Sequence, residues 1–262
     1  MRTNQLLTKS FITIYILTAL FLFSVYIGLF FYVDLFAFIT TIQDKEFHFA
    51  IVFTLVTSLI SALIIAIIAI PVGYVLAKVS FPLKNVISSL FDLPLILPSL
   101  VTGVALLLFF GPITSDLLSS LGIRIVFTPV GVVVAQVVIG LPLAVRACQQ
   151  AFASYDERFE KVAATLGYSP FQVFMRTSLP MARSGIWSGI IMAWARAMGE
   201  FGAISMVAGM TKFKTETVSI AIFLKMSIGE IQFSVAISIV MILFAIVFLT
   251  VIRMFERMEE RR

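Results

Sequence analysis

The sequence predicts an all-α membrane protein with six transmembrane helices and both termini in the cytoplasm. Three observations support this fold class: 60% of the residues are hydrophobic, only 13% are charged, and six long apolar runs are separated by short charged loops. A helix crosses the hydrocarbon core with about 20 apolar residues and satisfies its own backbone hydrogen bonds. Within a single transmembrane domain of residues 1–262, we place the spans at 10–33, 50–77, 93–111, 128–145, 184–208 and 232–252.

The first, second and sixth predicted spans contain no charged residue. The first, residues 10–33, is longer than the apolar part of a signal peptide, which has about 7–15 residues. Asp34 follows it without a small-residue cleavage site. We therefore expect this segment to remain in the protein as a span.

The third to fifth predicted spans carry helix-breaking residues. The third opens with Pro94 and Pro98, each of which removes a backbone donor. The fourth carries Gly140 and Pro142 in its second half, and the fifth contains four glycines. Such breaks survive in a membrane where protein or a water-filled path satisfies the backbone, so they point to a conduit. For Gly185 and Gly189, close helix packing through small residues is an equally good interpretation.

Arg196 and Glu200 are the only ionised residues within any predicted span. They stand one helical turn apart and can pair. Charged groups at membrane depth normally face a bundle interior or an aqueous path. Two interpretations follow: Arg196 meets a passing anion while Glu200 helps to set a gate, or the two form an ion pair without substrate contact.

The longest predicted cytoplasmic connection, residues 146–183, has helical features of its own. Ser154 and Glu157 have the spacing of a capping box. Apolar residues follow at helical spacing, namely Phe159, Val162, Ala163 and Leu166. Asp156, Glu157, Glu160 and Lys161 are expected on the solvated face. This pattern favours a docking surface over a mere connector.

The second half of this connection is predicted to be another short helix. Gly167 is well placed to end the first helix in a left-handed conformation. Ser169 and Pro170 then provide an N-cap and a first helical residue. Leu179 and Pro180 are expected to stop the second helix before the fifth span.

The distribution of Lys and Arg sets the predicted orientation. Thirteen of the 19 basic residues fall in the segments that include both termini and residues 146–183, and five fall in the alternate loops. The positive-inside rule then places both termini in the cytoplasm. Anionic lipids beside these loops account for the net charge of +5, so no nucleic acid partner is expected.

Several classes of site are excluded by composition. Cys148 is the only cysteine and His48 the only histidine, so neither an internal disulfide nor a Cys/His metal cluster can form. No set of residues has the pattern of a catalytic site, and no glycine-rich phosphate loop is present. We therefore expect a transport protein that binds no cofactor and does not hydrolyse ATP itself.

Three stretches resemble the permease subunits of ATP-binding-cassette (ABC) importers. Residues 161–167 (KVAATLG), followed by Leu179 and Pro180, resemble the cytoplasmic loop motif of these subunits, although Lys161 replaces its Glu and Glu160 stands one residue earlier. Residues 92–103 (DLPLILPSLVTG) and 194–203 (WARAMGEFGA) resemble the third and fifth spans of molybdate, tungstate and sulfate permeases.

The resemblance implies a type I importer permease fold, paired as a homodimer in the cell membrane. It implies two copies of a separate ATPase subunit that carries ATP and Mg²⁺, and an extracytoplasmic binding protein that delivers the oxyanion. The implied ATPase-coupling residues are Ser154, Asp156, Glu157, Phe159, Glu160, Lys161, Ala163, Ala164, Leu166, Gly167, Ser169 and Pro170. The implied path and gate residues are Pro94, Pro98, Thr102, Arg196, Glu200, Phe201 and Gly202.

The expected substrate is molybdate or tungstate, with sulfate or thiosulfate as the alternative. An autonomous channel or an ion-coupled secondary transporter is the alternative from a different functional class. Such carriers usually have several ionisable groups in the membrane and an internal repeat. Here two such groups and no repeat are found, which favours the importer.

Overall fold

The computed structural model describes the backbone of residues 2–260 and the side chains of residues 8–248 and 250. In this part of the chain the α-helices, numbered α1 to α13 in order, are Arg2–Tyr32, Leu35–Ile42, Lys45–Lys78, Lys84–Ile96, Ser99–Leu108, Ser115–Ser120, Pro129–Ala153, Arg158–Thr165, Pro170–Val173, Leu179–Met198, Gly202–Val207, Val218–Ser227 and Ile231–Glu260. Two π-helical segments, Phe109–Ile113 and Phe174–Ser178, follow α5 and α9. Met1, Arg261 and Arg262 lie outside the described residues.

Four helices are long and apolar enough to cross a membrane: α1 from Thr8, α3, α7 and α13 as far as Phe248. Helix α4 and the segment Ser99–Ile113 form a fifth candidate only as a pair bent by 111°. The fifth predicted span, 184–208, is divided between α10 and α11. Among the described residues, four helices, or five with the bent pair, thus qualify as spans by length and composition, and six spans stay a prediction.

The break in the third predicted span lies at Leu97 and Pro98. Helix α4 starts at Lys84, nine residues before the predicted start of the span at 93, and runs through Pro94. Leu97 then turns extended, with ψ of 144°, because the Pro98 ring disfavours the helical conformation in the residue before it. Pro98 precedes α5 and leaves no amide unsatisfied there. One proline is thus accommodated within a helix, and the other separates two helices.

Residues 1–48 and 222–262 form one compact unit. Within it, α2 packs on α13, and the Asp34 carboxylate caps α2 by accepting from the Ala37 amide. A buried ammonium, that of Lys225, lies 3.3 Å from Glu46 and 2.7 Å from Glu230. The ion pairs compensate the desolvation of this ammonium. Residues Thr8–Tyr32 of α1 are apolar and exposed, as expected for a surface that faces lipid.

Residues 49–221 form the second compact unit. Its core is made by α3, α7 and α10, which approach closely through small residues. A Cβ added to Gly185 would lie 2.7 Å from the Cβ of Ala151, and one added to Gly189 would overlap Ala147. For these two glycines, the structure confirms the interpretation as close helix packing.

Buried polar groups in this core are hydrogen-bonded across helices. The Trp194 indole donates to the Ser58 hydroxyl over 2.9 Å, and the Ser61 hydroxyl donates to the Gln136 side-chain oxygen over 2.9 Å. These bonds tie α3 to α10 and to α7. Hydrogen bonds between membrane helices fix their relative register in addition to the packing of small residues.

The close approach of α7 and α10 predicts the effect of Gly189→Val. The larger side chain must displace Ala147, and such overpacking costs about 1–3 kcal/mol. We expect a lower midpoint of thermal unfolding for the protein in detergent, measured by size-exclusion chromatography after heating. Gly28→Val in α1 is the matched control, because nothing lies within 4 Å of a Cβ at Gly28. Equal midpoints for the two variants would contradict the packing.

Candidate translocation and coupling site

The two helix breaks of the second unit lie against each other. A Cβ on Gly202, the first residue of α11, would overlap the Ser99 hydroxyl at the start of α5. A Cβ on Gly103 would lie 2.7 Å from the Cα of Ala203. Helices α5 and α11 therefore pack backbone against backbone, which only glycine allows at these positions. The breaks in the third and fifth predicted spans form one region.

Arg196 and Glu200 meet at this region. The Arg196 guanidinium donates to Glu200 Oε2 over 2.7 Å, so the predicted pairing is confirmed. The other carboxylate oxygen of Glu200 accepts from the Ala203 amide over 2.9 Å. Glu200 is 1% exposed and Arg196 is 42% exposed. The carboxylate is therefore held by protein partners, whereas the Arg196 side chain is partly exposed.

The other predicted path residues are placed as follows. Pro98 and Thr102 lie in or next to α5, and Phe201 lies in the break between α10 and α11. The Thr102 hydroxyl is buried and has no hydrogen-bond partner among the described residues. Pro94 lies beyond the bend, within α4. The structure thus brings the predicted path residues together with the exception of Pro94, which is separated from them by the helix break.

An ion pair that sequence reasoning missed joins α4 to α7. The Arg146 guanidinium binds the Asp92 carboxylate through two of its nitrogens, and one of these bonds, from Nε to Oδ1, is 2.8 Å long. Such bidentate pairs fix orientation as well as distance. The two residues are 54 positions apart, so no local spacing rule could have paired them. The contact fixes α4, the first helix of the bent pair, against α7.

The turn after α8 has the predicted conformation. Gly167 has φ of +89°, and its amide donates to the Ala164 carbonyl while the next amide donates to Ala163. This is the left-handed helix end that glycine favours. Ser169 caps α9 as predicted, accepting from the Gln172 amide, while the Gln172 side chain accepts from the Ser169 amide. A capping box is therefore present at Ser169.

Two predictions of helix ends in this connection are wrong. Ser154 is not an N-cap: α7 continues to Ala153, and the Ser154 hydroxyl donates back to the Ala151 carbonyl over 2.8 Å. Glu157 is the N-cap residue of α8 but makes no side-chain cap, and the Asp156 carboxylate before it accepts from the Arg158 amide. Leu179 and Pro180 do not stop the second helix either. The segment Phe174–Ser178 widens into a π-helix, which accommodates the proline, and leads directly into α10.

Helix α8 exposes most of its apolar side. Phe159, Val162 and Leu166 are exposed, and of the four predicted apolar positions only Ala163 is buried. Asp156, Glu157, Lys161 and Ala164 are exposed as well. An apolar stripe flanked by charges and left uncovered is the pattern of a surface that binds another protein.

Glu160 is the exception among the charged residues of α8, and its prediction as part of the solvated face is wrong. Its Oε1 accepts from the Tyr155 hydroxyl over 2.5 Å and from the Ser178 hydroxyl over 2.7 Å. Burial, followed by the hydrogen bond to Glu160, raises the pKa of the Tyr155 phenol, which stays protonated as a donor. Tyr155 and Ser178 were missed because only the tertiary fold brings them to Glu160.

Comparison with known proteins places the chain in a family. The family described as "Binding-protein-dependent transport system inner membrane component" matches residues 69–261, which is most of the chain. A molybdate/tungstate transport system permease protein of Methanocaldococcus jannaschii is 33% identical over 83% of this chain and 85% of that protein. One of Thermococcus kodakarensis is 36% identical over 65% of this chain and 64% of that protein, so the match spans less than two thirds of this relative.

Two further similarities bear on substrate and fold. A probable sulfate transport system permease protein of Chlorokybus atmophyticus is 33% identical over 66% of this chain and 61% of that protein. A chain of a bacterial alginate ABC transporter, crystallised with an alginate-bound periplasmic protein, superposes with a TM-score of 0.74 over 100% of this chain and 96% of its own, at 19% identity. This likeness shows the fold. The protein is a multi-pass membrane protein and belongs to the family of inner membrane components of binding-protein-dependent transport systems, whose members are transport subunits and not enzymes.

Proposed function

We propose that this chain is the permease subunit of an ABC importer that moves molybdate or tungstate into the cytoplasm. The observation that supports the substrate best is the similarity to a molybdate/tungstate permease over 83% of this chain. A homodimer would enclose the path, with residues 1–262 forming one transmembrane domain in each copy. Both termini would face the cytoplasm.

The geometry of α8 supports docking to a separate ATPase subunit. The exposed stripe of Phe159, Val162 and Leu166 would enter a cleft on the ATPase, and Lys161 and Glu157 would flank it. Two ATPase subunits would bind ATP and Mg²⁺ and supply the chemistry of hydrolysis. Their closure would move the two α8 helices together, and the membrane helices would rock between inward-open and outward-open states.

The region of the two helix breaks is the proposed gate. Arg196 and Glu200 neutralise each other in part, yet 42% of the arginine side chain remains exposed, and its outward donors can meet a passing dianion. The proposed gate residues are Pro98, Thr102, Arg196, Glu200, Phe201 and Gly202, with Pro94 at the adjoining bend. An extracytoplasmic binding protein would deliver the oxyanion to this path.

A sulfate importer is the second candidate, favoured by the 33% identity to a probable sulfate permease. Molybdate, tungstate and sulfate are all tetrahedral dianions. A path with one partly compensated arginine per subunit would therefore discriminate weakly among them, and selection would rest on the binding protein.

Reconstitution tests the proposed function. The chain, purified with its ATPase and binding protein, is placed in liposomes, and uptake of molybdate, tungstate and sulfate is measured with and without ATP. We expect ATP-dependent uptake of molybdate and tungstate. Preference for sulfate would support the second candidate. Uptake at the same rate without nucleotide would contradict the assignment to an ABC importer.

Arg196→Gln tests whether the guanidinium meets the anion. Loss of a charged donor to a dianion removes about 1.5–3 kcal/mol, so the uptake rate should fall by roughly ten- to a hundredfold. Assembly with the ATPase, followed by size-exclusion chromatography, should be retained. Arg124→Gln is the control, because this arginine is exposed in the segment before α7 and lies outside both the helix breaks and α8. Equal loss of uptake and assembly would favour a purely structural ion pair.

Gly167→Val tests the turn between α8 and α9. A β-branched residue at φ of +89° is strained, so α8 should lose its fixed orientation. We expect ATP hydrolysis to continue while uptake per ATP falls. Gly167→Asn is the matched control, because asparagine tolerates left-handed backbone. Unchanged uptake per ATP in the valine variant would argue against the role of this turn in coupling.

A further inference from the structure

We infer that Glu160 is the positioning residue through which α8 acts on α10, by means of the hydrogen bonds that its carboxylate accepts from Tyr155 and Ser178. This inference rests on the proposed function and deepens it. It assigns to Glu160 a role within the subunit, whereas the exposed residues of α8 are left to bind the ATPase.

The position of Ser178 makes this contact a direct route to the fifth predicted span. Ser178 is fully buried and is the last residue before α10, which begins at Leu179. Its hydroxyl donates to Glu160 Oε1 over 2.7 Å. Helix α10 carries Arg196 near its other end, beside the break before α11. A displacement of α8 therefore reaches the same helix that ends at the proposed gate.

Apolar packing does not provide an equivalent connection. Helix α8 packs mainly against the π-helical segment Phe174–Ser178 and against α9. Its large apolar side chains point away from these contacts and are exposed, and only the small Ala163 is buried. The hydrogen bonds of a carboxylate are stronger than those between neutral groups, so Glu160 provides most of the attachment.

The junction with α10 is weak without this contact. Pro180 has no amide, so it cannot donate back into the segment Phe174–Ser178. The amide of Leu179 donates to Phe174 across the wide π turn. Interruptions of this kind are places where helices bend. The hydrogen bond from the Ser178 hydroxyl to Glu160 lies at this junction. The direction of α10 at the junction therefore depends on the position of α8.

Tyr155 anchors the other side of the carboxylate. Its hydroxyl donates to the same oxygen of Glu160 over 2.5 Å, and the Lys78 ammonium lies 4.1 Å from the centre of its ring. Lys78 is the last residue of α3. The carboxylate thus connects α8 to α10 directly and to α3 through the tyrosine ring.

The test measures oxyanion transported per ATP hydrolysed, in liposomes with the complete transporter. For Glu160→Ala we expect this ratio to fall about tenfold, because the hydrogen bonds from both Tyr155 and Ser178 are lost. The ratio should fall less for Glu160→Gln, because the amide oxygen of glutamine can still accept hydrogen bonds from Tyr155 and Ser178. Asp116→Asn is the matched control, because this acid is exposed in α6 and lies outside residues 146–183. A merely structural role would lower uptake and hydrolysis together and leave the ratio unchanged.

Two milder variants extend the test to the donors. Ser178→Ala and Tyr155→Phe each remove one hydroxyl, and each should lower the ratio, which keeps the test valid if Glu160→Ala fails to assemble. Ser178→Ala should have no additional effect in the Glu160→Ala background, because both changes break the same contact. Unchanged ratios in all variants, with ATP-dependent uptake by the unmodified chain, overturn this inference alone. Absence of ATP-dependent uptake by the unmodified chain overturns the proposed function as well.

Discussion

The Glu200 carboxylate, which joins the end of α10 to the start of α11, is the interaction on which the region of the two helix breaks depends. A helix that stops in apolar surroundings leaves amides that water cannot reach, and the protein must satisfy them. Glu200 does so for Ala203 with one oxygen and holds Arg196 with the other. One buried acid therefore allows the helix to break and keeps an arginine beside the break. The conformation of the backbone and the position of the charge cannot be changed independently.

Small residues complement this arrangement in two different ways. Between α7 and α10 they allow close packing that restricts sliding of one helix along the other. Gly185 lies directly on Ala151, and Gly189 lies directly on Ala147. Between α5 and α11 they bring two short segments into backbone contact at Gly103 and Gly202. A rigid core with paired short helices beside it is suited to a gate that moves while its scaffold does not.

Sequence reasoning succeeded where a local rule applied. The pair of Arg196 and Glu200 follows from helical spacing, and the turn at Gly167 and the cap at Ser169 follow from the chemistry of helix ends. It failed where the tertiary fold decides. The cap predicted at Ser154 was lost because packing extends α7, and the inward position of Glu160 depends on Ser178, eighteen residues away. Hydrophobic periodicity also could not show where the predicted spans would bend. Pro94 and Pro98 have similar sequence surroundings, yet only Pro98 separates two helices.

The one-residue displacement of the acid in the loop motif has a physical consequence. A step of one residue rotates a side chain by about 100° around a helix, so Glu160 and Lys161 cannot serve the same face. Glu160 turns inward to Ser178, and Lys161, in the position of the motif's acid, is exposed. In the proposed complex, the subunit would therefore present a positive charge to the ATPase at that position. A carboxylate on the facing surface of the ATPase would complement this lysine, and an arginine there would repel it.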